Sequence, residues 1–254
     1  LIVDRVGVGY ALETQDRPFF GGSVSANTLI HELVHQWLGN EVAPADWSHI
    51  WLNEGAAEFF TTYYRYGVGL SQTTPENDSF GSWSSASASR WLTPTVGFTD
   101  PAELYDWQVY NRGKYTLGAL MTAIGRDAFD ATYAAWTKAH AGGSADTDDF
   151  VALAEQVSGR DLGAFFQDWL FDTDKPAWPA MWTAAVTTDV PTGETVLPGD
   201  TATLTLTVEN TGRVDLAGAT VVVDATQLLT QASLPILPKD VARQDSTLTW
   251  SIPT

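Results

Sequence analysis

The sequence predicts a mainly α-helical region with a partial sheet, an α+β arrangement over residues 1–180, followed by an all-β region over 181–254. Three observations carry that expectation. Between Ser25 and Phe171 apolar residues recur at the helical period, punctuated by Gly39, Gly67, Gly125, Gly142-Gly143 and Gly159. Asp174-Lys175-Pro176-Ala177-Trp178-Pro179 then interrupts the pattern, and beyond it the period falls to 2, that of a strand. A hydrophobic content of 44%, with 12% aromatic, fills cores and argues against disorder in a chain of 254 residues.

Taken in order, Val3, Val6, Val8 and Tyr10 alternate with glycines, the pattern of an edge strand ending at Arg17-Pro18, with Glu13 on it or just past it. Ser25 or Asn27 caps a first helix. Its stripe of Leu29, Ile30, Leu33, Val34, Trp37 and Leu38 is that of a buried helix, stopped by Gly39-Asn40. A second helix spans 51–66 with Gly67 as its left-handed stop, and the loop 41–49 folds the pair into a hairpin. Residues 71–99, rich in Ser, Thr, Gly and Asn around Trp83 and Trp91, read as a long irregular connection overhanging a cleft. Asp100-Pro101-Ala102-Glu103 announces a helix, and helical patterns follow to about Ala123, then over 127–140, 147–157 and 161–171. The acid run Asp146-Thr147-Asp148-Asp149 lacks the glycine and distal glutamate of a calcium loop and reads as helix-start charge. In the tail, Ala202, Leu204, Leu206 and Val208 oppose Thr201, Thr203, Thr205 and Thr207, Asn210-Thr211-Gly212 turns the chain, and 219–223 and 248–252 supply further strands.

One stretch specifies a chemistry. In His31-Glu32-Leu33-Val34-His35 the two histidines lie four apart, on one helical face, with Glu32 beside them. Catalytic zinc takes three protein ligands and leaves a fourth position for water, so two histidines are one ligand short. Glu54, brought back by the hairpin, is the candidate third, giving one Zn2+ per chain with Glu32 as the base. The plain alternative is a core helix that carries two histidines, although two of only four in the chain fall here. His49 and His140 are read as structural or exposed, and the tryptophans as packing.

The motif followed after eighteen residues by Glu54, in WLNEGAAEFF, resembles the M1 family of zinc aminopeptidases, of the gluzincin group. Tyr10-Ala11-Leu12-Glu13-Thr14 lies where that family carries its Gly-Ala-Met-Glu-Asn strand. Val109-Tyr110-Asn111-Arg112-Gly113 is similar to its Tyr-x-Lys-Gly segment. The resemblance covers roughly 1–180 and implies a thermolysin-like catalytic domain, with Tyr110 donating to the oxyanion and Glu13 binding a substrate's α-ammonium. Tyr105 lines the pocket, and Glu58, one turn after Glu54, is placed to accept the second ring hydrogen of a ligand histidine. A core tyrosine at 110, a plain strand glutamate at 13 and a solvated helix face at 58 are the alternatives. Thr14, Tyr10 and Arg112 depart from the family pattern. In that family a β-domain and most of a sheet precede the Glu13 strand, so an upstream part of the domain is expected to be missing here or supplied by another chain. The tail is similar to the immunoglobulin-like sandwich repeats of bacterial surface proteins, with its last strands expected to be missing.

A net charge of -18 without basic clusters argues against nucleic-acid binding and docking on anionic membranes. No apolar run reaches the length of about 18 residues that a membrane helix needs. The absence of cysteine excludes disulfides and thiolate ligands. The expected function is therefore zinc-dependent hydrolysis of peptide bonds, releasing N-terminal residues from a peptide substrate. Zinc endopeptidase activity is one alternative, and a cell-surface binding or stalk protein with an inactive peptidase module is another. The resemblance further implies secretion, or the cell surface of a bacterium.

Overall fold

The computed structural model describes residues 2–3, 7–98, 100–212, 220–234 and 236–252, so Val6, Thr99 and Ala219 of the patterns above lie outside the described residues. By contact the chain divides into two compact units, Leu1–Pro179 and Ala180–Thr254.

The first unit opens with three short strands, β1 (Ile2–Val3), β2 (Ala11–Leu12) and β3 (Phe19–Phe20), instead of the one edge strand expected. β3 is central, parallel to β1 and antiparallel to β2. The chain doubles back because Asp16 takes a left-handed φ of 69°, and Pro18 brings no amide to a ladder. α1 (Ala26–Val34) starts at Ser25, whose Oγ accepts the amide of Thr28 at 3.0 Å. It ends at Val34, short of the stop expected at Gly39-Asn40, and the apolar stripe is less buried than expected, with Leu33 43% and Trp37, beyond the helix, 60% exposed. The stripe is wider than the face that packs on the next helix. After β4 (Val42–Pro44) comes α2 (Trp51–Gly67), where the left-handed glycine is Gly69 at φ 75°, not Gly67.

The stretch 71–98 is not irregular throughout. It holds α3 (Pro75–Ser85), whose cap Thr74 accepts the amide of Asn77, with Pro75 in the first turn and Glu76 and Asp78 at the positive helix end. The polar composition hides the helix because it packs through small groups. A Cβ on Gly118 would lie 2.3 Å from that of Ser79, so the backbones of α3 and the helix carrying Gly118 are in close approach. Pro101–Glu103 forms only a single 3-10 turn, and the expected helix begins later. A π turn over Gln108–Arg112 leads into α4 (Gly113–Ile124) and α5 (Arg126–Ala139). β5 (Gly143–Ala145) pairs parallel with β4. α6 (Thr147–Ser158) is opened by the acid run as a capping box, Asp146 and Asp149 each accepting the other's amide. α7 (Gly163–Phe166) continues into a second π turn, Gln167–Phe171.

α2 runs through the middle of this unit and packs on α1, α3 and α4. Its Trp51 and Phe59 join Leu117, Leu120, Phe129, Phe150, Phe166 and Leu170 in one core. In a second aromatic group Trp169 packs edge to face on both Trp91 and Trp178, and Trp83 lies tilted against Trp178. The carbonyl of Pro176 accepts the Trp83 indole at 3.2 Å, so the segment that interrupts the helical pattern still belongs to the helical unit.

The second unit holds β6 (Trp182–Thr188), paired antiparallel with β7 (Leu204–Asn210). A three-stranded antiparallel sheet joins β8 (Thr220–Asp224), β9 (Val241–Gln244) and β10 (Thr247–Ser251) in the order β8-β10-β9, with a turn of helix, α8 (Thr226–Leu229), after β8. An immunoglobulin-like sandwich is not evident among the described residues. Such a sandwich covers the inner face of each sheet, whereas every residue of β6 is exposed.

Candidate metal centre and active site

α1 delivers His31 and His35, and the first turn of α2 delivers Glu54. His31 Nε2 and His35 Nε2 are 3.1 Å apart, and Glu54 Oε2 stands 3.2 Å from the first and 3.3 Å from the second. The outer ring nitrogens are also engaged. His35 Nδ1 donates to the carbonyl of Leu38 at 2.9 Å and His31 Nδ1 to Glu58 Oε1 at 3.3 Å, which aims both Nε2 atoms inward. Burial works against a charged His31, yet the carboxylates of Glu54 and Glu58 outweigh it and push the imidazole up to about 10. Burial likewise opposes ionisation of Glu54, but its bonds to both histidines hold it down at about 2.

This donor set fits zinc. A tetrahedral ion with bonds of about 2.0–2.1 Å sets neighbouring ligand atoms about 3.3 Å apart, the spacing of this triangle, and two imidazoles with one carboxylate suit a catalytic site. Beside it Glu32 is buried, and its Oε2 has no hydrogen-bond partner among the described residues. Burial pushes the Glu32 carboxyl up, with His31 and His35 opposing and Glu13 and Glu54 adding to the rise. A buried carboxylate of raised proton affinity is suited to take a proton.

Tyr110 sits on the first π turn with its ring over His31, centroids 6.3 Å apart and planes 22° from parallel. Burial, then the Glu54 carboxylate, raises its phenol far above the usual range, so it is an O–H donor at any working pH. The helix carrying Glu54 and the turn carrying Tyr110 meet at two glycines. A Cβ on Gly55 would lie 2.8 Å from Gly113 Cα and 3.1 Å from the Val109 carbonyl oxygen. Glu13 falls just past β2, half-buried, and its carbonyl accepts the Asn40 amide at 2.9 Å, which ties it to the end of the histidine helix. The Glu13 carboxylate adds to the negative field at Glu32, Tyr105 and Tyr110. Tyr105 is 58% exposed. A cavity of about 550 Å³ opens beside His31, Glu32 and Tyr110, walled by polar groups that include Asn27, Thr28, Thr61, Thr62, Arg65 and Lys114. All eight residues singled out in the sequence thus fall in or around one site.

Two residues near it carried no such expectation. Lys114 pairs with Asp78 of α3 at 2.7 Å, and its partner lies in the stretch whose composition conceals a helix. Arg112 is fully buried and bonded to backbone carbonyls, a role that the polar stretch Tyr110-Asn111-Arg112-Gly113-Lys114 does not signal. Burial presses its guanidinium down to about 10, against the pull of Asp168, Asp172 and Asp174. It remains a cation. His49 is structural, its Nδ1 2.9 Å from the Thr147 hydroxyl at the start of α6, and the His140 ring packs on Trp136 at 4.4 Å.

Residues 22–169 match the Peptidase family M1 domain. The chain belongs to peptidase family M1. Among M1 relatives it is similar to aminopeptidase M1-D of Oryza sativa subsp. japonica, 28% identical over 61% of this chain and 18% of the rice protein. Aminopeptidase N of Streptomyces lividans is likewise 28% identical, over 58% of this chain and 18% of that protein. The M1 zinc metallopeptidase of Deinococcus radiodurans superposes with a TM-score of 0.61 at 26% identity, over 70% of this chain and 40% of that one. The chain therefore spans under a fifth of the length of these curated relatives. Zinc is the metal of the family, and among the described residues the triangle of two imidazoles and one carboxylate fits it.

Proposed function

We propose that this protein is a zinc-dependent peptidase that releases N-terminal residues from peptides. The observation that carries the reading is the convergence of His31 Nε2, His35 Nε2 and Glu54 Oε2 beside the unpartnered Glu32 oxygen. When held by these three ligands, Zn2+ supplies Lewis acidity toward the scissile carbonyl and a water. Glu32 takes the proton of the attacking water and passes it to the leaving amine. Tyr110 donates its hydroxyl to the oxygen on which charge develops, an interaction stronger in the transition state than before it. Glu58 keeps the His31 proton on Nδ1. Glu13 pairs with the free α-ammonium of the substrate, and Tyr105 lines the approach. Support also comes from the relatives named aminopeptidases and from a Deinococcus radiodurans neighbour whose structure carries a Tyr-Ser-Ala substrate.

An endopeptidase is the second reading, favoured by Tyr10 and Thr14, exposed residues around Glu13 that depart from the aminopeptidase pattern. Aminoacyl reporters and peptides, each with and without an N-terminal block, separate the two on the full-length zinc-loaded protein. Free substrates should be strongly preferred, and Glu13→Ala should erode that preference. Equal cleavage of blocked and free peptides would reject Glu13 as the amine anchor. For residues 181–254 the reading is a β-rich spacer or anchor of the bacterial surface-repeat kind. A chain ending at Pro179 should then keep zinc and turnover, and loss of both would reject it.

A further inference from the structure

Arg112 takes no part in the reaction above, yet all five of its N–H groups are committed. Nε donates to the carbonyl of Trp169 at 2.7 Å, Nη1 to those of Trp91 and Thr93 at 3.1 and 3.0 Å, and Nη2 to those of Asp168 and Asp172 at 3.4 and 2.6 Å. The guanidinium also lies over the Trp91 ring, 5.1 Å from its centroid. Its acceptors come from two stretches, 91–93 and 168–172. Carbonyls at the end of a helical run have no partner within the helix, so a buried cation there satisfies groups that would otherwise be orphaned.

The same residue closes the π turn Gln108–Arg112, two positions after Tyr110. A π turn holds one residue more than the α-helix it interrupts, and it persists only where its surroundings require it. Downstream, α4 is fixed by the buried Leu117, Leu120 and Met121. Relaxation to α register would therefore fall on the upstream side, rotating Tyr110 by about 100°, one residue's share of a helical turn. That rotation would take the ring away from His31.

We propose that Arg112 is the positioning residue for Tyr110: by anchoring the end of the π turn to five carbonyls of two other segments, it holds the phenol over the metal-binding histidine. This rests on Tyr110 being the oxyanion donor. Lysine, which the family pattern carries at this position, offers three donors from one point and so leaves at least two of the five carbonyls of this chain unserved.

The test compares wild type, Arg112→Lys, Tyr110→Phe and the double variant as zinc-loaded full chains labelled with 3-fluorotyrosine. The ¹⁹F resonance absent from Tyr110→Phe identifies Tyr110. Arg112→Lys should shift or broaden that resonance, leave zinc stoichiometry intact and lower kcat by roughly 10- to 100-fold with KM little changed, as a misplaced group does. In the Tyr110→Phe background it should cost nothing further. An unmoved resonance, or an equal loss of kcat in both backgrounds, would overturn the proposal. Normal turnover by Tyr110→Phe would instead reject the oxyanion role, while the resonance still reports whether Arg112 holds the ring. Should Arg112→Lys fail to fold, Arg112→Gln, which keeps a planar amide donor and brings no charge, is read in the same way.

Discussion

The three candidate ligand atoms of His31, His35 and Glu54 come from only two helical turns, so none can be replaced by a neighbour. His35→Ala should lose stoichiometric zinc by elemental analysis, and a full complement in that variant would remove the basis of the site. Glu32→Gln should keep metal and fold but lose kcat by at least about 10², since an amide accepts no proton from water. Turnover near wild type would reject it as the base. Tyr110→Phe should lower kcat by about 10² to 10³ with KM and zinc unchanged. A rise in KM alone would mean that the phenol acts in ground-state binding. The three ligand candidates were legible in the sequence because helical periodicity alone places the two histidines and a short hairpin returns Glu54 to them, whereas Tyr110 was legible only through the family resemblance. Arg112 was not, because its partners are main-chain carbonyls as far as 60 residues away, which leave no trace in side-chain identity.

Among the elements, α2 and the turn entering α4 set the distance between metal and tyrosine. Gly55→Ala would place a methyl 2.8 Å from Gly113 Cα, against backbone that cannot rotate aside. The helices must separate, at a cost of about 1–3 kcal/mol. Thermal unfolding should show the loss, and the variant that remains folded should turn over more slowly with its zinc retained. An unchanged melting temperature would mean that the contact is slack. The strong amphipathic helices were visible in the sequence, with boundaries close to those observed for α2, α5 and α6. α3 was missed because it buries only Pro75, Ser79 and Trp83, too few and too small to make an apolar stripe. The two π turns escaped notice for another reason, since one inserted residue breaks the helical period without ending the helix.

For the whole molecule, zinc held by His31, His35 and Glu54 would tie α1 to α2, and should then report on the fold as well as on activity. At zinc about a thousandfold above its dissociation constant the folded state gains about 4 kcal/mol, which is roughly 8–16 °C of melting temperature at this size. Chelation should remove that increment, and zinc, added back, should restore it. A melting temperature indifferent to both would place zinc elsewhere or nowhere. No helix among the described residues is long and apolar enough to cross a membrane. The second unit was legible only as β-rich, because strand pairing depends on partners that a local alternation of side chains does not name. One consequence concerns how such a protein diversifies. The parts that hold metal and tyrosine in register are Gly55, Gly113 and the Arg112 carbonyl cage, and none of them walls the polar cavity beside the site. Asn27, Thr28, Thr61, Thr62 and Arg65 can therefore be exchanged, and the wall of that cavity reshaped, without touching the contacts that hold the histidines and the tyrosine together.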